Sequence, residues 1–263
     1  MKKKPLVSIV MNCHNGGKYL KESITSIVKQ TYKNWELIFW NNNSTDNSKE
    51  IFNKLREKRF RYFESSKLKN LYESRNLAVS KCKGKYVCFL DTDDWWVKSK
   101  LYQQINLFEK DKNLKFIYSN LYQFNQKSKK KYLFSKTKLP SGKITQQLLK
   151  DYRVGIVTVM LKRELFKKNK FNKNYNIIGD FDFFIRLSRN EIIKCIQKPL
   201  AYYRLHSSNY SKLKLDLYLK EIDSWIKINK KKFENKNYSL FSLRIIKYKI
   251  KVKNLLNFFN LKF

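Results

Sequence analysis

Apolar residues fall in short runs separated by turn formers through the first hundred positions. Leu6 to Met11 is one such run, and it ends at Asn12-Cys13-His14-Asn15-Gly16-Gly17, which predicts a buried strand followed by a loop. Positions 20, 24, 27 and 28 are apolar within residues 19–30, the helical period. Residues 35–40 read as a second strand. The loop Asn41-Asn42-Asn43-Ser44-Thr45-Asp46 then feeds a helix running to about residue 57, with Ser44 or Asp46 as its cap. A short strand at 61–63, a helix at 72–82 and a buried strand at 86–90, set off by Gly84, follow. Alternating strands and helices predict a parallel sheet with covering helices.

The second half is less regular. The pattern predicts a helix at 100–109, an extended segment at 116–124, and a basic hairpin or loose loop at 127–138. A buried strand is expected at 155–161, a helix from 181 to 187 and a late strand at 201–206. From residue 212 onward the chain reads as helical and basic. Interleaved apolar and basic residues from 244 to 259 suit a helix lying on an anionic surface, or one packing its apolar face on the domain.

Composition changes this picture little. With 58 Lys and Arg against 21 Asp and Glu, the net charge of +37 favours polyanionic partners. An AT-rich codon bias, visible in the abundant Lys, Asn, Ile, Phe and Tyr, accounts for the same excess. Nucleic acid is disfavoured as the partner, because the positive residues are spread over the whole chain and the acidic clusters at 91–94 and 180–182 would face it badly. Cys13, Cys82, Cys88 and Cys195 form no C-x-x-C pair, which argues against structural zinc and for thiols in a reducing compartment. No stretch approaches the length of a membrane span, so a cytoplasmic protein, peripheral on the inner face of the cell membrane if the tail docks there, is expected.

The chemistry concentrates after the fourth strand, at Asp91-Thr92-Asp93-Asp94. Extended backbone would point Asp91 and Asp93 to one side, at the carboxyl end of a strand, where open α/β sheets bind ligands. Two carboxylates held together there suit a hard divalent cation shared with substrate phosphates. A solvated acidic turn is the plainer alternative.

An ordered set of motifs surrounds that element. Pro5-Leu6-Val7-Ser8-Ile9-Val10, Asn15-Gly16, Ser26-Ile27-Val28-Lys29-Gln30-Thr31-Tyr32, Arg75-Asn76-x-Ala78, Gly84-Lys85-Tyr86, Gly179-Asp180-Phe181-Asp182 and Tyr203-Arg204-x-His206 with Ser211 follow one another along residues 5–211. The set resembles the family 2 glycosyltransferases. The resemblance implies an α/β fold of GT-A type, a mostly parallel Rossmann-like sheet with covering helices, here with a basic C-terminal helical tail. It implies a catalytic domain over 1–211, its nucleotide-binding half about 1–97 and its acceptor-side half about 98–211, followed by an extension at 212–263. It implies an inverting, metal-dependent glycosyltransferase moving a sugar from a nucleotide-sugar donor, a UDP-sugar first, to a glycan or lipid-linked acceptor in cell-surface polysaccharide synthesis.

By the same resemblance, Asp180 is the base that takes the acceptor's proton. Asp93 and His206 are ligands of Mn2+ or Mg2+, and Asp91, Asn15, Asn41 and Arg75 contact the donor. Each has a structural alternative: a helix N-cap for Asp180, a salt bridge for Arg75, a packing role for His206. Two departures stand out. Asn41 and Asn42 replace a pair of acids, so the donor's base would meet an amide carbonyl without charge, and Gly179 replaces a Glu on the acceptor side. These departures leave a catalytically impaired, nucleotide-sugar-binding homologue as the alternative function.

Overall fold

The computed structural model describes residues 4–209, 214–245 and 248. Among these, one mixed sheet organises the chain. Four strands, β1 (Val7–Cys13), β2 (Trp35–Asn41), β3 (Phe60–Glu64) and β4 (Tyr86–Phe89), pair in parallel in the order β3-β2-β1-β4. Crossover helices α1 (Gly17–Val28), α2 (Ser48–Lys54) and α3 (Leu71–Ser80) connect them. The chain therefore leaves β1 towards β2 and later returns on its other side as β4. That reversal opens a crevice at the carboxyl ends of β1 and β4.

The second half extends the same sheet beyond β4. β5 (Trp95–Trp96), β6 (Phe116–Asn125), β7 (Lys131–Leu133), β8 (Met160–Lys162) and β9 (Ile193–Leu205) add in the order β8-β6-β9-β5, with β7 folded against β6. Parallel pairing still dominates through the long β6–β9 ladder, while β8 and β5 run antiparallel to their neighbours. The basic stretch at 127–138 is thus the hairpin among the two alternatives. Helices α4 (Lys100–Lys110), α5 (Thr145–Lys150), α6 (Leu165–Lys168), α7 (Gly179–Ser188) and α8 (Leu215–Glu234) complete the fold.

Side-chain alternation along the strands divides the core in two. Val7, Ile9, Met11, Leu37, Phe39 and Cys88 face α1, α2 and α4, whereas Val10, Ile38, Val87 and Phe89 face α3, α6, α7 and α8. Burial on both faces is why these strands read as unbroken apolar runs. All four cysteines are buried free thiols. Gly84 lies where β4 meets β1: a Cβ there would sit 2.6 Å from the Ser8 backbone nitrogen.

Three local expectations are corrected. Residues 155–161 do not form one strand. Ile156–Thr158 is a 3-10 turn whose Thr158 N–H and hydroxyl both donate to the Gly155 carbonyl, and strand pairing begins only at Met160. A buried turn and a buried strand present the same apolar run. Asp91 and Asp93 do not share an extended segment either. The backbone turns there, with the Asp94 N–H on the Asp91 carbonyl, and the two carboxylates go to different partners. The N-cap of α2 is Asn47, neither Ser44 nor Asp46; Asp46 stands just before it, its Oδ1 accepting the Ser48 N–H and its Oδ2 the Gly17 N–H that opens α1.

Beyond residue 211 the described chain packs closely on the domain. Trp225 and Phe233 of α8 are fully buried, Trp225 Nε1 donates to Asp182 Oδ1, and the Glu221 carboxylate accepts the N–H groups of Asn176, Ile177 and Ile178. Leu240 and Leu243 are buried, while Phe241, Ile245 and Tyr248 are exposed. Ser211 and most of the amphipathic segment expected at 244–259 lie outside the described residues. No helix among the described residues is long and apolar enough to cross a membrane.

Candidate active site

The crevice is built by loops that sequence separation keeps far apart. The Thr92 side chain packs on Gly16, where a Cβ would meet its Oγ1 at 2.5 Å, so the acidic loop after β4 seats on the loop after β1. Ser23 of α1 donates to the carbonyls of Thr92 and Asp94, which fixes that loop from below. Asp94 is buried and accepts the Arg204 N–H at 2.8 Å, tying β9 to the acidic loop. Burial and the neighbouring Asp93 and Asp91 push its carboxyl well above the usual range. Asp94 is not a helix cap; almost wholly buried, it lines the cavity that reaches Asp180.

Asp93 and His206 meet directly, with Nε2 2.9 Å from Oδ2. The Ser208 N–H donates to Nδ1, which places the proton of the neutral ring on Nε2, shared with Asp93. Burial, and Asp91 next to it, raise the Asp93 carboxyl, with the His206 contact opposing. Both side chains keep an opening to solvent, 28% for Asp93 and 14% for His206. Among the described residues no group of three or more His, Cys, Asp or Glu side chains converges on one point. The protein thus offers a cation one carboxylate and one imidazole. That donor set fits a metal completed by substrate phosphates and water, with the ring proton displaced, and does not fit a closed structural site.

Arg75 takes the other acid. Its Nη2 donates to Asp91 Oδ1 at 2.8 Å, and its guanidinium is almost wholly buried against the Tyr72 ring. Both line a cavity of about 340 Å3 that reaches Asp180 at the first turn of α7. Burial raises the Asp180 carboxyl, Arg75 opposes, and Asp91 adds to the rise. Its Oδ1 accepts the Phe181 N–H and lies 3.4 Å from the Tyr72 hydroxyl, which donates more strongly to the Ile177 carbonyl. Asp182, the other acid of this motif, is committed to Arg186 and Trp225.

Gly179 explains itself here. A Cβ at 179 would lie 2.5 Å from two ring carbons of Tyr72. The Tyr72 ring fills the space that a longer side chain at 179 would need.

A second cleft, about 500 Å3, opens beside the ends of β1 and β2 and is lined by Asn12, Cys13, His14, Asn42, Lys69 and Asn70 among others. Both polar atoms of the Asn12 side chain are buried without a partner among the described residues. Asn42 is engaged with the Lys69 backbone through its Nδ2 and Oδ1. Asn41 is fully buried and lines neither cleft. Its Oδ1 accepts the Ser44 N–H, and its Nδ2 donates to Tyr62 and Glu64. Asn15, in a left-handed conformation at φ 54°, accepts the Thr45 N–H through Oδ1 and donates its own N–H to Ser44. The structure therefore brings Asp91, Asp93, Arg75, Asp180 and His206 to one region and leaves Asn15 and Asn41 holding loops. Asn12 of this second cleft, and Tyr152, which lines the cavity at Asp180, carry no motif and escape a reading of the sequence.

Comparison with known proteins bears on the family and the fold. A family model described as glycosyl transferase family 2 matches residues 8–196. An Escherichia coli protein named UDP-Glc:alpha-D-GlcNAc-diphosphoundecaprenol beta-1,3-glucosyltransferase WfgD is 31% identical over 208 residues, covering 78% of this chain and 79% of its own length. A Methanocaldococcus jannaschii protein named as an uncharacterized glycosyltransferase is 31% identical over 245 residues, 89% of this chain and 84% of its own. Among solved structures, S. aureus TarS 1–349 superposes with a TM-score of 0.63 at 18% identity. That match covers 75% of this chain and 60% of TarS 1–349. A Pyrobaculum calidifontis mannosyltransferase in complex with GDP-Man and Mn2+ gives 0.64 at 13% identity, over 86% of this chain and 65% of its own. At these identities the two structural matches speak for the fold.

Proposed function

The chain belongs to glycosyl transferase family 2, and from that premise we propose that it transfers a sugar, with inversion, from a UDP-sugar to a hydroxyl of a lipid-linked glycan. The fold is of GT-A type, the protein is a glycosyltransferase, and its place is in polysaccharide or lipid-linked glycan synthesis. One observation carries the finer reading: Asp93 with His206, Arg75 with Asp91, and the raised Asp180 carboxyl gather at the carboxyl ends of the strands.

In this reading the acceptor hydroxyl attacks the anomeric carbon from the face opposite the diphosphate. The new C–O bond forms as the bond to the β-phosphate oxygen breaks, and that oxygen leaves with the electron pair. Asp180 takes the acceptor's proton; burial raises its carboxyl above the ordinary value, with Arg75 opposing, a shift in the direction that suits a general base. Asp93 and His206 would hold a divalent cation that, when bound, neutralises charge gathering on the leaving diphosphate. Arg75 keeps Asp91 in place and sets a positive charge beside the same region. The unpartnered amide of Asn12 offers an acceptor and a donor side by side, complementary to the N–H and carbonyl edge of uracil. The basic stretch from 237 to 263 would bring the enzyme to a lipid-linked acceptor. A truncation after Asn237 that binds anionic vesicles as well as the full chain would remove that role.

The test is a panel of UDP-glucose, UDP-N-acetylglucosamine and GDP-mannose, each with Mn2+, read by thermal stabilisation and by transfer to an N-acetylglucosaminyl-diphosphate lipid. A UDP-sugar should stabilise and react only with the metal present, and Asp93→Asn should lower transfer by about a hundredfold or more. Full transfer in excess chelator overturns the metal assignment. Preference for GDP-mannose overturns the donor.

A further inference from the structure

The cavity that ends at Asp180 has a wall that the reaction as described does not use. The loop from Tyr152 to Val157 forms it, and Gly155 lets that loop lie against Leu121, where a Cβ would approach Cδ2 to 2.8 Å. The Tyr152 ring stands edge-on to Phe181, the residue after Asp180, with centroids 5.2 Å apart. Its hydroxyl is buried and has no hydrogen-bond partner among the described residues.

An orphaned buried hydroxyl calls for an explanation, since leaving it unpaired costs stability. Trp35, Ser74, Tyr86 and Arg189 also carry buried unpaired atoms, but none of them lines either cleft. Tyr152 does, and Asp180, Tyr72, Arg75 and Tyr218 all act on it electrostatically. Burial and Asp180 push the phenol well above its ordinary range, so it stays an O–H donor. Leu121, Phe134, Val154, Ile156 and Val157 give this wall an apolar stretch; Gln123 and Arg153 also line it, Arg153 being paired with Asp151 and Ser135. A fixed hydroxyl beside an apolar stretch and a carboxylate matches a pyranose ring, with its apolar C–H face and a hydroxyl at the rim.

We propose that Tyr152 binds the acceptor sugar, donating a hydrogen bond to an oxygen adjacent to the attacking hydroxyl. The proposal rests on the reading of Asp180 as the acceptor's base.

The test compares Tyr152→Phe with the unaltered full chain, using UDP-glucose with Mn2+ and an N-acetylglucosaminyl-diphosphate lipid as acceptor. The acceptor KM should rise about tenfold, while the UDP-glucose KM and its hydrolysis by water stay within about twofold. The melting temperature should hold or rise, because the hydroxyl removed has no partner among the described residues. A raised donor KM, an unchanged acceptor KM, equal losses of transfer and hydrolysis, or no transfer to this acceptor by the unaltered protein would each overturn the proposal. Asp180→Asn, run in parallel, separates the two assignments. Undiminished transfer by that variant refutes the base, and leaves the acceptor KM of Tyr152→Phe to be judged alone.

Discussion

Arg204 holds Asp93 by its backbone. The guanidinium Nε donates to the Asp93 carbonyl at 2.7 Å, and the same side chain reaches Gln126 and Glu22 while stacking on Tyr19 and Trp95. It is 3% exposed, so its position is set by this packing, and the Asp93 carboxylate is aimed at His206 through it. Trp95, the residue after the acidic element, belongs to this stack, against Tyr202 at 4.7 Å.

Replacing Arg204 with Gln should therefore damage metal use more than donor recognition. The apparent affinity for Mn2+ should fall about tenfold or more, with the UDP affinity reached at saturating Mn2+ preserved. Stability should drop by about 2 kcal/mol. The loss stays modest because Glu22 is half exposed and rehydrates when its partner goes. Metal titrations of activity alongside denaturant melts would check both. Unchanged Mn2+ dependence would remove the positioning role.

The pH dependence of transfer should carry the signature of Asp180. A general base must be deprotonated, and burial holds this carboxyl above its ordinary value of 3.8. Activity at saturating metal should therefore fall on acidification through a pKa above that value. Asp93 is also raised, so measurements at low metal would mix two limbs; saturating Mn2+ favours the ionised Asp93 and leaves the Asp180 limb. Asp180→Asn should abolish transfer and leave nucleotide-sugar affinity within a few-fold. Retention of the acidic limb in a partly active variant would assign it elsewhere.

Tyr72 and Gly179 should behave as a coupled pair. Gly179→Ala forces the Tyr72 ring to move, because the new methyl would sit 2.5 Å from ring carbons of a side chain that is buried and bonded to Ile177. A cost of about 1–3 kcal/mol is expected. Combined with Tyr72→Ala, the same substitution should cost far less than it does alone, a coupling that a double-mutant cycle reads directly. Additive effects would show that Tyr72 does not fill the 179 position.

Much of this architecture is legible in the chain because β1, β2 and β4 are covered on both faces and so leave continuous apolar runs. The acidic loop was legible for the opposite reason: three carboxylates after a buried run have few structural explanations. Asn41 shows where such reading stops. The family resemblance implies a donor contact for it, yet bonds to Ser44, Tyr62 and Glu64 engage its side chain. Tyr152 and Asn12 were invisible because their significance lies in partners they lack, which only packing reveals. Glu221 likewise gathers three N–H groups some 43 to 45 residues away, a relation with no local pattern.

Lys100 gives the sharpest test of the core. It is fully buried, with Nζ donating to Gln104 at 2.7 Å, approaching the Val159 carbonyl at 3.4 Å and lying 4.2 Å from the Trp96 ring centroid. Burial lowers its pKa to about 8, with Cys88 opposing. The sign follows from proton counts. Between about 8 and the ordinary 10.5 the unfolded chain binds more protons at this site than the folded one, so the site's contribution to stability rises with pH across that window. Below it, the folded state carries an ammonium it would rather lose. Cys88 and Cys82, raised by burial to about 11 and about 12, act the other way above pH 9, so the comparison should stop there. Relative to Lys100→Met, the native chain should gain about 1 kcal/mol of stability between pH 7 and 9, measured by urea denaturation at both values. The difference, not the absolute stability, is the readout, since losing Nζ also leaves Gln104 without a donor. A gap that stays constant from pH 7 to 9 would mean that Lys100 keeps its proton and finds enough in Gln104 and Trp96 to hold it.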